Sequence, residues 1–373
     1  FHPLHECCEY GYDACARILV EAGADVNKHT RPEWYMECTT ALLVASMHGH
    51  DACITTLLQH GASVDVMDSL GRSAVLLAAQ GGHAASFATL VDAGASIDTL
   101  DNTGKTALML ASRAGCVEIV DTLLACRADA NAVDCEGWTS VMFAARQTST
   151  CIIDLLFGAR ADIDARDNWE RTALIHASKA CCVENVCALL KCGADVNKMD
   201  SEGWTSVMHA IEAGNEACVL SLLRNYPVLN SYDTCSWWPM ALACNGGHSA
   251  ITRHLLEARA DADCRCRSNL MLAAEQGHTE CVHALLEYGA SVNHVDEIYG
   301  DTAIMVACAK GHGAVVDLLL QHRAELETMN KDGDTALTCA LAYGHVDITK
   351  TLVRAGARTD AQTHAWILER SGG

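Results

Sequence analysis

The sequence predicts an all-α solenoid, a fold made by stacking one small helical unit many times. A Thr or Ser recurs every 33 residues, and each one opens a short segment rich in Ala and Leu. Half of the 373 residues are hydrophobic, yet only 5% are aromatic. A fixed period of this length indicates a repeat protein rather than a globule with one central core. The residues that set the period are Thr40, Ser73, Thr106, Thr139, Thr172 and Thr205, then, after a shift in phase, Ser268, Thr302 and Thr335.

One unit, residues 101–134, shows why such units must stack. Asp101 and Gly104 stand at the first and fourth positions of a type I turn, and Thr106 can cap the helix that follows. Gly115 ends that helix, and a second helix with its own apolar stripe comes next. Both helices have about two turns, fewer than the roughly 12 to 15 residues at which an isolated helix becomes marginally stable. Only neighbouring units can therefore cover their apolar faces.

The motif Thr-Ala-Leu-x-x-Ala-Ser-x-x-Gly, followed by Leu-Leu-x-x-Gly-Ala-x-Val-Asn, repeats with this period over nearly the whole chain. It resembles the ankyrin repeat. About eleven copies can be counted, the first at His2-Pro3-Leu4-His5 and the last ending near Asp360. The resemblance implies an ankyrin-repeat solenoid of helix-turn-helix units with β-hairpin fingers, whose fingers and first helices form a concave surface. It also implies a protein-binding scaffold.

The domain organisation follows from the same phase. We predict one array over residues 1–360, most irregular in 134–296, and a C-terminal extension or truncated repeat over 361–373. Because Phe1 lies within a repeat and is not Met, we expect the chain to be a fragment or a processed product. The Gly after the second helix is replaced in five copies, where left-handed backbone costs on the order of 1 kcal/mol each. These replacements are Arg127, Arg160, Tyr226, Arg259 and Arg323.

The charge balance excludes several kinds of partner. With 26 basic and 47 acidic residues the formal net charge is -21, and nucleic acid requires clustered Lys and Arg. Acidity of this size mainly keeps a long surface soluble. No apolar run reaches the roughly 18 residues of a membrane span, and since Phe1 lies within a repeat we expect no signal peptide. We therefore expect protein partners, and neither nucleic acid, membrane nor a small-molecule substrate.

The 21 cysteines predict buried free thiols rather than disulfides or a metal site. Most stand where the repeat requires a small apolar side chain, which indicates a reducing, intracellular location, cytoplasmic or nuclear. One cluster, at Cys235, Cys264 and Cys266, is a candidate for metal binding, but its spacing lacks the usual zinc pattern. The thiols at one second-helix position are Cys15, Cys53, Cys218 and Cys281, and those at one first-helix position are Cys8, Cys244 and Cys308.

No catalytic motif stands out from the period, so the sequence predicts a protein that is not an enzyme and uses no cofactor. There is no Ser/His/Asp set, no paired carboxylates and no phosphate-binding Gly loop. Six histidines follow a Gly between the two helices, where we expect each to bond a nearby backbone group. They are His50, His83, His248, His278, His312 and His345.

Candidate binding residues are those whose side chains the repeat leaves free. One such position is the fingertip just before the capping Thr, where Trp, Arg and Lys alternate and the last two copies have Asp301 and Asp334. Another is the outward side of the first helix. Trp and Arg often dominate interface energy, so we predict an acidic partner segment with apolar or aromatic residues, bound mainly by copies five to eight. The predicted site is Arg72, Lys105, Trp138, Arg146, Trp169, Arg171, Lys179, Trp204 and Trp237.

Other interpretations remain open. A fingertip Trp can simply pack on its neighbour. The array can be the regulatory or substrate-targeting region of a larger multidomain enzyme of the kinase or ubiquitin-ligase type, or a spacer with no specific ligand. The family resemblance also implies that some Asn side chains can be hydroxylated. We expect instead that each of these Asn side chains stabilises its own turn. The Asn residues concerned are Asn27, Asn131, Asn197 and Asn293.

Overall fold

The computed structural model describes residues 2–29, 39–147, 149–230, 239–263 and 268–359. These residues form 22 α-helices and no strand, which confirms the all-α prediction. Contacts between Cα atoms divide the chain into two compact units, unit 1 (Phe1–Ser201) and unit 2 (Glu202–Gly373). Trp237, the Cys235–Cys264–Cys266 cluster and the predicted 361–373 extension lie outside the described residues.

Unit 1 is a stack of helix pairs. The first helices of successive pairs pack on one another, α1 on α3 and so on to α11, and the second helices do the same from α2 to α12. Neighbouring pairs thus cover the apolar faces that two-turn helices cannot cover alone. The helices are α1 (Pro3–Tyr10), α2 (Asp13–Glu21), α3 (Ala41–His48), α4 (Asp51–Gln59), α5 (Ala74–Gly81), α6 (Ala84–Asp92), α7 (Ala107–Ala114), α8 (Val117–Ala125), α9 (Ser140–Ala145), α10 (Cys151–Gly158), α11 (Ala173–Lys179) and α12 (Val183–Lys191).

Unit 2 repeats the same arrangement. Its first helices stack from α13 to α21 and its second helices from α14 to α22. Its helices are α13 (Ser206–Glu212), α14 (Glu216–Leu223), α15 (Pro239–Asn245), α16 (Ser249–Glu257), α17 (Asn269–Gln276), α18 (Thr279–Glu287), α19 (Ala303–Lys310), α20 (Gly313–Gln321), α21 (Ala336–Ala342) and α22 (Val346–Arg354).

The periodic Thr and Ser residues start the first helices as predicted. The Thr106 hydroxyl accepts the backbone N–H of Met109 at 3.2 Å, and six other copies have the same cap. Thr139 departs from this pattern, since its buried hydroxyl has no partner among the described residues. The helix after it, α9, has only six residues.

The prediction of buried thiols holds for only part of the cysteines: in the described part of the chain six are buried, seven are partly exposed and four are exposed. In the described part of the chain every Cys is a free thiol, and six of the seven at the two predicted positions are buried. Burial raises the pKa of the Cys244 and Cys308 thiols, which keeps them unreactive. At these two positions the prediction is wrong for Cys15, which is exposed.

The fingers between helix pairs are tight turns rather than the expected β-hairpins. The described fingers contain no strand; their two sides are joined by isolated bridges, such as that between Met67 and Ser73, and by single backbone hydrogen bonds, such as that from the Asp101 N–H to the Lys105 carbonyl at 3.1 Å. In five fingers an Asp carboxylate closes the turn, as where Asp101 accepts the backbone N–H groups of Thr103 and Lys105, whereas the Asn330 amide oxygen closes the finger of residues 330–334. Successive fingers are joined by backbone hydrogen bonds of 2.9 to 3.0 Å, Asn102 to Leu70, Cys135 to Thr103, Asn168 to Glu136, Ser201 to Trp169, and Lys331 to Tyr299.

Two kinds of side chain tie neighbouring repeats together. Five of the predicted histidines bond a backbone carbonyl of the preceding first helix, for example His312 to Glu275 at 2.9 Å. The side chains of Asn27, Asn131 and Asn293 also reach the next repeat, so the expectation that they stabilise their own turns is wrong for these three. The Asn131 amide donates to the Arg160 carbonyl and accepts from the Asp162 N–H.

The non-Gly residues after the second helices keep left-handed backbone, as predicted. Arg127, Arg160, Arg259 and Arg323 have φ values of 62° to 63°, and Tyr226 has 52°. The same strain occurs at Glu170, φ 59°, in a finger position that is Gly104 and Gly137 in the two preceding repeats.

Candidate functional site

The finger of residues 167–171 is organised by one buried carboxylate. Oδ1 of Asp167 accepts the backbone N–H groups of Trp169 and Arg171, both at 2.9 Å. Oδ2 pairs with the Arg171 guanidinium, also at 2.9 Å, and the Asp167 side chain is fully buried. Arg171 is therefore held in one orientation by its own finger, with its charge balanced inside the protein.

A second partner of the same carboxylate comes from the first helix. Nε2 of His176, on α11, donates to Oδ2 of Asp167 at 3.0 Å. The pKa of His176 is lowered to about 4, chiefly because the imidazole is buried; Asp167 acts to raise this pKa, while Arg171 and Arg146 act to lower it. The imidazole is thus neutral at pH 7, and the negative charge of Asp167 is balanced by Arg171 alone.

The Trp138 indole lies on this histidine. Its ring centroid is 4.2 Å from that of His176 and 4.9 Å from that of Phe143, and the residue is only 8% exposed. The guanidinium of Arg146 lies 5.7 Å from the Trp138 ring, within cation–π distance. The expectation that the fingertip leaves this side chain free is wrong, because the next repeat covers it. The packing interpretation is confirmed for Trp138.

Trp169 is the exposed aromatic of the group. It is 46% exposed, and the Arg171 guanidinium lies 4.6 Å from its ring. Contacts therefore run without a break from Arg146 through Trp138, His176, Asp167 and Arg171 to Trp169. We call these six residues the Trp–Arg cluster. Lys179 extends it, since it is exposed and lies three residues after His176 on α11.

The other predicted residues do not join this cluster. The Arg72 guanidinium pairs with Asp68 at 2.7 Å, and the Lys105 ammonium pairs with Asp134 of the next finger at 3.3 Å. These cations stabilise fingers, so the expectation that they are free is wrong as well. Trp204 belongs to unit 2, where it packs on His209 with 5.2 Å between ring centroids.

The family is shown by sequence. The family model described as "Ankyrin repeats (3 copies)" matches residues 42–134, 90–167, 108–200, 141–233, 207–296 and 270–363. The family model described as "Ankyrin repeat" matches residues 1–31. The chain belongs to the ankyrin repeat family. Ankyrin repeat regions fit a role as protein-interaction scaffolds, which agrees with a site built from side chains on fingers and first helices.

Similar ankyrin proteins match parts of this chain. Ankyrin repeat domain-containing protein 63 of Mus musculus is 35% identical over 126 residues, which are 32% of this chain and 31% of that protein. Probable E3 ubiquitin-protein ligase XBOS32 of Oryza sativa subsp. japonica is 36% identical over 95 residues, 24% of this chain and 19% of that protein. The crystal structure of the human ASB11 ankyrin repeat domain aligns with a TM-score of 0.53 at 25% identity, covering 60% of this chain and 100% of that one. The chain thus spans less than a third of the length of these two curated relatives.

Two features are absent from the described part of this ankyrin chain, a metal-binding group of side chains and a membrane-spanning helix. Among those residues no group of three or more His, Cys, Asp or Glu side chains is arranged to hold a metal ion. None of the helices there combines the length and the apolar character that crossing a bilayer requires.

Asp167 and His176, the two residues at the centre of the Trp–Arg cluster, were not predicted from the sequence. A signal was present at the fourth residue after the capping Thr, which is Leu110 or Leu77 in other repeats and an imidazole in this one. A His at a buried apolar position requires a polar partner. The finger carboxylate nine residues earlier is that partner.

We expect His176 to make the stability of this ankyrin array depend on pH. Its folded pKa of about 4 lies below the unfolded value of 6.5, so between these values the unfolded chain binds the extra proton. The free energy of unfolding is therefore highest above pH 6.5 and falls as the pH drops towards 4, by about 2 to 3 kcal/mol from this residue. Urea unfolding at several pH values measures the slope.

The matched control is His176→Phe, which places in this repeat the residue that Phe143 provides in the preceding one. Subtracting its pH profile removes the contribution of the carboxylates. Identical slopes for the two proteins between pH 4 and 6.5 would contradict the assignment.

Proposed function

We propose that this chain is a non-catalytic scaffold that binds a protein segment on the finger and first-helix surface of unit 1, through the Trp–Arg cluster and Lys179. It works without a cofactor, and the segment has acidic residues together with apolar or aromatic ones. We also propose that the array has about eleven repeats, which the 22 helices of the described residues support as eleven pairs.

The observation that carries this proposal is the exposed Trp169 indole next to fixed cations. Arg171 is already neutralised by Asp167 and serves to orient the indole. Arg146 and Lys179 are exposed, and neither forms an ion pair with another described residue. A carboxylate of the partner therefore pairs with Arg146 or Lys179, and an apolar or aromatic side chain packs on Trp169. Cations left unpaired on so acidic a chain favour an acidic partner.

The test is affinity capture from cell extract with wild-type protein and with a triple variant, Arg146→Glu, Trp169→Ala and Lys179→Glu. All three side chains are exposed, so the fold is retained, which thermal unfolding checks. We expect at least one partner to be lost by tenfold or more. Its binding should also weaken with added salt, since both cations lie at the solvent-exposed rim.

The matched control is Arg113→Glu, a charge reversal at the same first-helix position as Arg146 and Lys179 but one repeat before the cluster. It changes the net charge without touching Trp138 or Trp169. A triple variant that captures every protein at wild-type levels would refute this site. Equal losses with Arg113→Glu would show non-specific charge attraction instead.

A second candidate function is favoured by the similarity to the rice protein named a probable E3 ubiquitin-protein ligase. Here the array is the substrate-targeting region of a larger enzyme, and the same cluster selects the substrate. The complete open reading frame decides between the two candidates. A reading frame that encodes ankyrin repeats alone would remove this one.

A further inference from the structure

Unit 2 has exposed apolar residues on two neighbouring fingers, residues 295–301 and 329–334. Ile298 is 64% exposed, Tyr299 63%, Met329 66% and Val295 43%. Isolated exposed apolar side chains are ordinary on protein surfaces, but a group of them indicates an interaction site. None of these four residues belongs to the Trp–Arg cluster or to its partner surface.

An extra residue in the first of these fingers accounts for this group of exposed apolar side chains. The period slips by one between Ser268 and Thr302, so this finger has one residue more than the finger of residues 101–105. Asp296 still closes the turn, accepting the backbone N–H groups of Ile298 and Tyr299. The longer turn thus presents two consecutive large side chains, where the shorter finger has Asn102 and Thr103.

The two fingers form one surface because three hydrogen bonds join them. The Lys331 N–H donates to the Tyr299 carbonyl at 2.9 Å, and the Asn330 amide donates to Asp301 at 2.9 Å. The Lys331 ammonium donates to the Glu297 carbonyl at 2.5 Å. A Cβ on Gly300 would lie 3.0 Å from the Lys331 nitrogen, which shows how closely the fingers approach.

The charge on this surface is strongly negative. Residues 295–301 and 329–334 contain five carboxylates and one Lys, and the fingertip position that is Arg or Lys in three repeats of unit 1 is Asp301 and Asp334 here. The ammonium of Lys331 is directed to the neighbouring finger. A partner that covers the apolar side chains must therefore bring positive charge, since an acidic segment would be repelled.

We propose that these two fingers form a second docking surface, and that its occupant is a basic protein segment with aliphatic or aromatic anchor residues. The anchors pack against Ile298, Tyr299 and Met329, and Lys or Arg side chains of the partner pair with the exposed carboxylates of Glu297 and Asp332. The surface differs in charge from the site in unit 1, so the chain binds two chemically opposite segments.

The test is selection of random 12-residue peptides, displayed on phage, against the whole chain. We expect a family of peptides rich in Lys or Arg together with Trp, Tyr or Leu. One synthetic member, labelled with fluorescein, is then titrated by anisotropy. Its affinity is expected to fall at least tenfold for two double variants. One combines Ile298→Ser with Tyr299→Ser, and the other combines Glu297→Lys with Asp332→Lys.

Two controls make the test specific. Met67→Ser with Leu70→Ser removes exposed apolar side chains from a finger of unit 1, and should leave affinity within twofold. The triple variant of Arg146, Trp169 and Lys179 should also leave the affinity within twofold. The proposal for this surface and the proposal for the site in unit 1 are therefore tested independently. The proposal is overturned if no basic, apolar peptides are enriched, or if they bind the Ile298/Tyr299 and Glu297/Asp332 variants as tightly as wild type.

Discussion

Replacing Asp167 by Ala is expected to lower the free energy of unfolding by about 3 kcal/mol, because one buried carboxylate has four partners. Two backbone N–H groups of the finger lose their acceptor, the Arg171 guanidinium loses its counter-ion, and the His176 imidazole loses its hydrogen bond. Urea unfolding, followed by both circular dichroism and Trp fluorescence, measures the loss. Two probes are needed since repeat proteins can unfold locally.

Two further variants divide this loss into its parts. Asp167→Asn keeps an oxygen for the turn, as Asn330 does in its own finger, but removes the charge that holds Arg171. It should cost about 2 kcal/mol. Asp101→Ala, in a finger where the carboxylate binds only its own turn residues, should cost about 1 kcal/mol.

The order of these three losses is the critical result. If Asp167→Ala costs no more than Asp101→Ala, the contacts with Arg171 and His176 contribute nothing to stability. The Trp–Arg cluster would then lack the rigid support on which the proposed orientation of Trp169 depends.

The fold could be predicted in detail because its determinants are local and recur. A cap such as Thr106, an end such as Gly115 and an apolar stripe such as Ile119, Val120 and Leu123 each act within one repeat. The period then predicts which repeat covers the apolar face of which neighbour. The left-handed backbone at Arg127 was implied by the family resemblance, since ankyrin repeats hold this position in that conformation.

The candidate site could be predicted only in part because the repeat pattern does not state which side chains, in the same finger or in the next repeat, contact a given position. Trp138 was expected at a free fingertip, yet His176 of the next repeat, 38 positions later, covers it. Arg72 and Arg171 were expected to face a partner, yet each bonds an Asp four residues before it. A repeat pattern shows where the Cα atom of a residue lies, whereas the neighbouring side chains determine the contacts that its side chain makes.

The second large effect is expected where a Gly of one repeat meets a His of the next. A Cβ on Gly277 would lie 2.6 Å from Nδ1 of His312, whose Nε2 bonds the Glu275 carbonyl at 2.9 Å. Gly277→Ala must displace the imidazole and break that bond, and it also places Ala at φ 77°. We expect the free energy of unfolding to fall by about 2 to 3 kcal/mol, measured by urea unfolding.

Gly289→Ala is the matched control in the same unit. It imposes the same kind of backbone strain, φ 85°, but nothing lies within 4 Å of the added methyl, so it should cost about 1 kcal/mol. If contact with His312 causes the difference, Gly277→Ala combined with His312→Ala should cost less than the sum of the two single losses. Strict additivity would instead mean that the Gly is required for its backbone alone. The recurring Gly-His pair would then lose its role as the contact that joins one ankyrin repeat to the next.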